Sequence, residues 1–168
     1  CLYTSEAAQV SLPTGSSPYT IEAWIKPDSS GSSSGGIVGW GGFSSSLDSN
    51  ALRLNGWCCT QNYWWGSAVG GRAPTGNLAD GSWHHVAVTF DGDEHTMFVD
   101  FSQVARRTGV SGPTSMTSAN NFCVGKTSSS EYYSGKIRGL RIWKYKMNIL
   151  GHVFSPSPPQ PPISPPKP

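Results

Sequence analysis

Apolar and polar residues alternate with a period of two in most segments of this chain, and no segment carries the three-to-four spacing of a helical stripe. The densest block is residues 80–100, DGSWHHVAVTFDGDEHTMFVD, which reads as a β-hairpin. Its first strand covers 83–90. There Val86, Ala87, Val88, Thr89 and Phe90 are the β-branched, small and aromatic types that suit a covered, pleated surface. Asp91-Gly92 supplies the turn, because Gly takes positive φ without steric cost and Asp tolerates it. The second strand covers 96–101, with Met97, Val99 and Phe101 alternating against Thr96, Phe98 and Asp100. Two such strands are not stable alone in water and require a sheet and a second layer.

The other segments supply them. Residues 2–13 are expected as an edge strand ending at Pro13. In 19–26, Tyr19, Ile21, Ala23 and Ile25 form an apolar face and Thr20, Glu22, Trp24 and Lys26 a mixed one, with Pro27 as the stop. Residues 28–36 (DSSGSSSGG) are a loop by composition, and 36–43 a short strand loosened by glycine. In 51–58, Leu52 and Leu54 alternate with Arg53 and Asn55. Residues 60–71 are aromatic and then glycine-rich. Further strands are expected at 103–107, 121–126 and 134–145; in the last, Leu140, Ile142, Trp143 and Tyr145 imply contacts on both faces. Short strands separated by frequent turn signals predict an all-β fold, a two-sheet antiparallel β-sandwich.

Composition adds an organisation. With 168 residues, one domain is expected at 1–153, followed by a tail at 154–168 in which Pro156, Pro158, Pro159, Pro161, Pro162, Pro165 and Pro166 enforce an extended polyproline II conformation. The tail is expected to be held by this domain or by a neighbour. Charged residues make up 13% and the net charge is +2, which gives no basis for nucleic-acid binding, and no apolar run is long enough for membrane insertion. The sequence starts at Cys1 without an initiator Met or a signal-peptide pattern, so a processed chain or an excised segment is expected.

Four cysteines, Cys1, Cys58, Cys59 and Cys123, form an even set without a zinc-type pair, and two disulfides in a secreted protein are the natural reading. Because adjacent cysteines bridge awkwardly, Cys1 and Cys123 are expected to bond to Cys58 and Cys59, in an order the sequence leaves open.

Together, YTIEAWIKP at 19–27, DGSWHHVAVTFDG at 80–92, TMFVD at 96–100, VGK at 124–126 and SGKIRGLRIW at 134–143 resemble the concanavalin A-like, laminin G-like jelly roll. The resemblance implies two antiparallel sheets packed face to face, and a domain that binds glycans or matrix proteins, with calcium on the rim of some members. It makes the His84-His85 pair scaffold. Where such domains have Gly after the Val-Asp of the hairpin, this chain has Phe101, which implies a different turn. The tail resembles the Ser-Pro and poly-Pro stretches of hydroxyproline-rich wall glycoproteins, which implies that the seven prolines named above are candidates for hydroxylation and O-glycosylation.

Candidate chemistry is sparse. Glycoside hydrolysis needs two carboxyl groups facing each other across the bond, yet Glu6, Glu22, Glu94 and Glu131 stand one to a segment and Asp91 and Asp93 share a turn. No catalytic residue is assigned and no enzyme is expected. Adjacent His84 and His85 point to opposite faces of a strand and cannot be a strand-spaced metal pair. Asp48 and Asp80, with Asn50 and Asp28, are loop oxygen donors that could serve calcium; no other cofactor is expected. Lys136, Arg138, Arg141, Lys144 and Lys146 form a basic stripe read mainly as solvated.

The most unusual stretch is 57–66, WCCTQNYWWG. Trp57, Tyr63, Trp64 and Trp65 with Gln61 and Asn62 offer stacking surfaces and amides for a sugar, or anchors for a protein interface, or a small aromatic core folded on itself. The resulting expectation is a secreted, non-enzymatic structural or adhesive module of a matrix, wall or surface fibre, meeting copies of itself or fibre neighbours through the aromatic loop and the tail. The alternative is a lectin-like carbohydrate-binding domain with glycans as partners.

Overall fold

A computed structural model describes residues 12–42, 45–116, 121–127 and 131–151. Among them stand β1 (Tyr19–Pro27), β2 (Ser34–Gly41), β3 (Ser49–Asn55), β4 (Cys59–Tyr63), β5 (Ala68–Arg72), β6 (His84–Phe90), β7 (His95–Val99), β8 (Ser102–Arg107), β9 (Cys123–Val124), β10 (Gly135–Trp143) and a 3₁₀ turn at Ile149–Gly151. They form two five-stranded antiparallel sheets. The first has the order β10-β1-β6-β7-β8 and the second β5-β4-β3-β2-β9. This is the two-layer sandwich of the sequence reading. Of the expected strand at 2–13 only Leu12 and Pro13 are described, and they are not strand; its other residues and the proline tail at 154–168, with its boundary and its attachment, lie outside the described residues.

The apolar face of β1 does what its alternation demands. Tyr19, Ile21, Ala23 and Ile25 are buried in one cluster with Val86, Val88 and Phe90 of β6, Met97 and Val99 of β7, and Trp40, Leu52, Leu54 and Trp64 from the second sheet. Burying each such side chain contributes about 1.5–3 kcal/mol, so this interlayer core dominates the stability. The opposite face of the first sheet is partly covered as well. The chain after β10 folds back across it, with Met147 N donating to Thr20 Oγ1 (2.9 Å) and Thr20 Oγ1 donating to Tyr145 O (2.8 Å). Ile149 thereby packs on Ala87 and Phe98, with Met147 and Phe101 beside them. That second layer explains why β6 is buried along its whole length.

Several expected boundaries move for local reasons. β2 begins at Ser34, inside the expected loop: Gly35 and Gly36 run so close to Tyr132, Tyr133 and Thr127 that a Cβ at Gly35 would sit 2.4 Å from Tyr132 O. The aromatic and glycine-rich segment 60–71 falls in two strands, β4 and β5, and the loop between them. β3 ends at Asn55, so Cys58 belongs to the turn before β4. β9 is shorter than 121–126, and β10 ends at Trp143.

The hairpin's second strand ends at Val99. Asp100 (φ 47°) and Phe101 (φ 62°) form the two-residue turn into β8, the left-handed pair that matches strand twist. Asp100 is fixed there by its own bonds. Its N–H donates to His85 O (2.8 Å), and Oδ1 accepts from His85 N (2.9 Å). Phe101 stacks on His85 with ring centroids 4.4 Å apart and meets Trp24 edge-on at 6.1 Å. Those contacts offset the cost of left-handed backbone at a residue that has a Cβ.

Cysteine pairing differs from the expectation. Cys58 and Cys59 bond to each other, with Cα atoms 3.7 Å apart. Cys123 is also disulfide-bonded. No residue has to be brought from elsewhere to the 58–59 turn, so that turn closes on itself instead of being tied to β9.

Candidate functional site

The 57–66 stretch does not act as a unit, because strand alternation divides it. In β4, Thr60 and Asn62 face the interlayer core and Cys59, Gln61 and Tyr63 face outward. Trp64, in the turn that follows, is buried at 1% exposure. Asn62 and Trp64, expected as contacts, therefore cannot reach a ligand. They join a polar network inside the sandwich instead. Trp64 Nε1 donates to Tyr19 Oη (3.0 Å), and Tyr19 Oη donates to Asn62 Oδ1 (2.6 Å). His95 Nε2 lies 2.7 Å from the same Oδ1, and the His95 ring stacks on Trp64 at 4.0 Å. Asn62 Nδ2 donates to Asn50 Oδ1 (2.8 Å) and to Ala51 O (3.0 Å). Burial, with Arg107 nearby, pushes the His95 imidazole down to about 3, so the ring is neutral and Nε2 carries the proton it donates.

The remaining residues of the stretch lie apart from that interior. Trp57 packs half-buried against the core. Tyr63 and Trp65 face each other with centroids 6.4 Å apart, and Trp65 is 39% exposed. Register pairs Arg53 with Gln61 and Ala51 with Tyr63 across β3 and β4, and Gln61 with Gly70 and Cys59 with Arg72 across β4 and β5. The Arg53 guanidinium lies over the Tyr63 ring at 5.4 Å and forms an ion pair with Glu131, whose other oxygen accepts from Thr127 Oγ1 (2.7 Å). The outer face of the second sheet thus carries Arg53 on β3, Gln61 and Tyr63 on β4 and Arg72 on β5, with Trp65 in the loop after β4.

Beside them is an open depression of about 360 Å³ bordered by Asn55, Cys59, Gln61 and Arg72, over a floor of Gly70 and Gly71. A Cβ at Gly70 would lie 2.8 Å from Thr60 O, so the floor stays bare only with glycine. Arg53 and Arg72 were not signalled by the sequence as site residues. They stand 19 positions apart and only the strand register brings them to one face.

The carboxylates are dispersed. Glu22 lies buried on the outer face of the first sheet, 3.0 Å from His85 Nε2 and 3.0 Å from Arg141 Nη1. Burial would raise its carboxyl, but these two donors hold it below the usual range. Glu94 pairs with Arg106 and Lys146 in the hairpin turn. Asp91 shares Lys146; its slight burial opposes ionisation, but Lys146 and the turn's N–H groups bring it to about 2. Glu6 lies outside the described residues.

His84 bridges Asp100 (2.8 Å to Nδ1) and Asp80 (3.1 Å to Nε2). Burial would lower its imidazole, and the two carboxylates raise it overall. Of the oxygen donors considered for calcium, Asp48 Oδ2 accepts from Ser45 N, Asp80 Oδ1 from Ser82 N and Asp28 Oδ1 from Ser30 N. Among the described residues no three His, Cys, Asp or Glu side chains are grouped to hold a metal ion.

In the basic stripe, the Arg138 guanidinium lies 4.1 Å from the Trp83 centroid and 5.6 Å from that of Trp24. Arg141 is committed to Glu22, and Lys146 to Asp91 and Glu94. Three of the five stripe residues are thus held by other side chains, while Lys136 and Lys144 are exposed.

Residues 4–148 match the family model Laminin_G_3, described as the concanavalin A-like lectin/glucanases superfamily. None of the curated proteins matches the chain. Among solved structures, domains LG4-5 of the mouse laminin alpha1 chain superpose with a TM-score of 0.58 at 16% identity, covering 74% of this chain and 34% of that one. Domain 4 of AbnA, a GH43 extracellular arabinanase from Geobacillus stearothermophilus, in complex with arabinotriose, gives 0.60 at 17%, covering 82% and 65%. The Ruminococcus gnavus IT-sialidase CBM40 bound to alpha2,3 sialyllactose gives 0.64 at 13%, covering 79% of each. This chain thus spans about a third of the laminin structure and just under two thirds of the arabinanase one. At these identities the likeness is one of fold.

Proposed function

Because the chain belongs to the concanavalin A-like lectin/glucanases superfamily, we propose that it is a non-catalytic, lectin-like glycan-binding module of an extracellular protein, with its site on the outer face of the second sheet. The observation that carries this reading is the register of β3, β4 and β5. It sets Arg53, Gln61, Tyr63 and Arg72 on one open face, and Gln61 and Arg72 border a depression there whose floor is bare glycine. A sugar presents an apolar C–H face and a ring of hydroxyls. Tyr63 and Trp65 offer the surface for the first, and Gln61 and Asn55 offer amides for the second. A neighbour bound to sialyllactose and another in complex with arabinotriose support glycans as the ligand class on this fold. The disulfides support an oxidising, extracellular setting. The separate commitments of Glu22, Glu94 and Glu131 support a binding rather than a hydrolytic role.

The test is a glycan array followed by titration of the hits. Tyr63→Ala and Gln61→Ala are expected to weaken binding by about tenfold each. An array without hits, or hits indifferent to both substitutions, overturns the assignment. An adhesive role in a matrix or wall is the same site used in another setting. Assembly through the proline tail concerns residues outside those described.

A further inference from the structure

We propose that the sugar bound by this face carries a carboxylate, as a uronic or sialic acid does, and that Arg72 is the residue that clamps it. The proposal rests on the reading of the face as a glycan site and names the class of glycan. It stands on the charge pattern of the depression. Of the six arginines in the described residues, five have fixed partners. Arg53 pairs with Glu131, Arg106 with Glu94 and Arg141 with Glu22. Arg107 donates to Ala68 O (2.8 Å), and Arg138 lies against Trp83 and Trp24. Arg72 is exposed, has no hydrogen-bond acceptor among the described residues, and borders the depression.

Among the described residues no Asp or Glu lines that depression. Arg53, the nearest cation in register, has its charge balanced by Glu131. Arg72 therefore sets the sign of the site by itself. A guanidinium grips a carboxylate through two parallel N–H···O bonds, a geometry that also fixes the orientation of the sugar ring. Asn55 and Gln61, on the same border, can then serve the neighbouring hydroxyls. The backbone of Arg72 is held for this role. Arg72 pairs in register with Cys59, and the next residue, Ala73, donates its N–H to Cys58 O (2.7 Å), so the Cys58–Cys59 bridge sits directly across from the clamp.

The experiment titrates the folded chain with trigalacturonate and its methyl ester, and with 3′-sialyllactose and its methyl ester. Each pair differs by the loss of the carboxylate charge, and the two pairs separate uronic from sialic acid as the source. Wild-type protein is expected to bind one acid at least about tenfold more tightly than its uncharged counterpart, with the difference shrinking as salt is raised. Arg72→Gln is expected to erase that difference by weakening the acid about tenfold, and Arg72→Lys to restore only part of it, because the fork is lost. Equal affinity for acid and uncharged ligand, or an acid preference untouched by Arg72→Gln, overturns the clamp. If Tyr63→Ala still weakens array binding in that case, the glycan site stands and only its acidic specificity falls. Failure of all four saccharides to bind overturns the acidic class, while the array alone judges the wider reading.

Discussion

The Tyr19 hydroxyl donates to Asn62 Oδ1 at 2.6 Å across the full thickness of the sandwich, from β1 of the first sheet to β4 of the second. Both residues are essentially inaccessible to water. The bond is one of three donors satisfied around two oxygens, since Tyr19 Oη also accepts from Trp64 and Asn62 Oδ1 also receives His95. Removing the hydroxyl as Tyr19→Phe leaves the Trp64 N–H unpaired in a dry interior. The expected loss is about 1–3 kcal/mol in urea unfolding. A loss within experimental error would mean that the network contributes nothing net.

The same network predicts an acid-sensitive stability. The neutral His95 ring has its folded value depressed to about 3 from an ordinary 6.5, so the unfolded chain takes up the proton first. The stabilisation is complete above 6.5 and is lost progressively as pH falls from 6.5 toward 3. Between 6.5 and about 4.5, before most carboxylates titrate, unfolding free energy should drop by roughly 1.4 kcal/mol per pH unit. Chemical unfolding at several pH values, compared with His95→Gln, checks this: the substituted protein should have a flatter profile in that window.

His84 has the opposite sign. Its folded value is raised by Asp100 and Asp80, so its contribution is fully present below 6.5 and disappears as pH rises through the folded value. Melting temperature should therefore fall from pH 6 into the alkaline range in the wild type, and less so in His84→Gln. A decline of equal size in both proteins would remove His84 as the cause.

Phe101 sets backbone cost against ring contact. Phe101→Ala keeps a Cβ in left-handed backbone and loses the stacking on His85 and Trp24. Phe101→Gly loses the same rings but relieves the backbone. The Ala variant should be the less stable of the two by about 1 kcal/mol. The reverse order in parallel denaturation curves would show that the φ of this turn is not what the residue type resists.

The bond between Cys58 and Cys59 is open to direct chemistry. A proteolytic digest without reductant should yield one unlinked peptide containing both residues, lighter by two hydrogens than its reduced form. A peptide joining either residue to Cys123 would overturn the pairing.

Much of the architecture was legible because it depends only on alternation. The apolar parity of 19–26 and the run Val86 to Phe90 declare which faces are covered, and Asp91-Gly92 declares a turn, without knowledge of any partner strand. The strands at 59–63 and 68–72 were not legible, because Gln61, Asn62, Gly70 and Gly71 are poor strand formers in isolation. They form strands because Asn62 finds three buried partners and Gly71 lets Val104 approach so closely that a Cβ would lie 2.5 Å from its carbonyl oxygen.

The candidate site divides along the same line. The sequence by itself determined that aromatics and amides are concentrated at 57–66, because composition is local. Only the tertiary structure decided which of them meet solvent. The alternation of Gln61 and Tyr63 against Asn62 and Trp64 was visible in the letters, but whether a given parity faces core or water depends on the other sheet. Arg53 and Arg72 became neighbours of Gln61 through hydrogen-bond register between strands, a relation that residues 19 positions apart cannot express along one chain. The charge balance that leaves Arg72 without an acceptor among the described residues rests on Glu131 reaching Arg53 from 78 residues away.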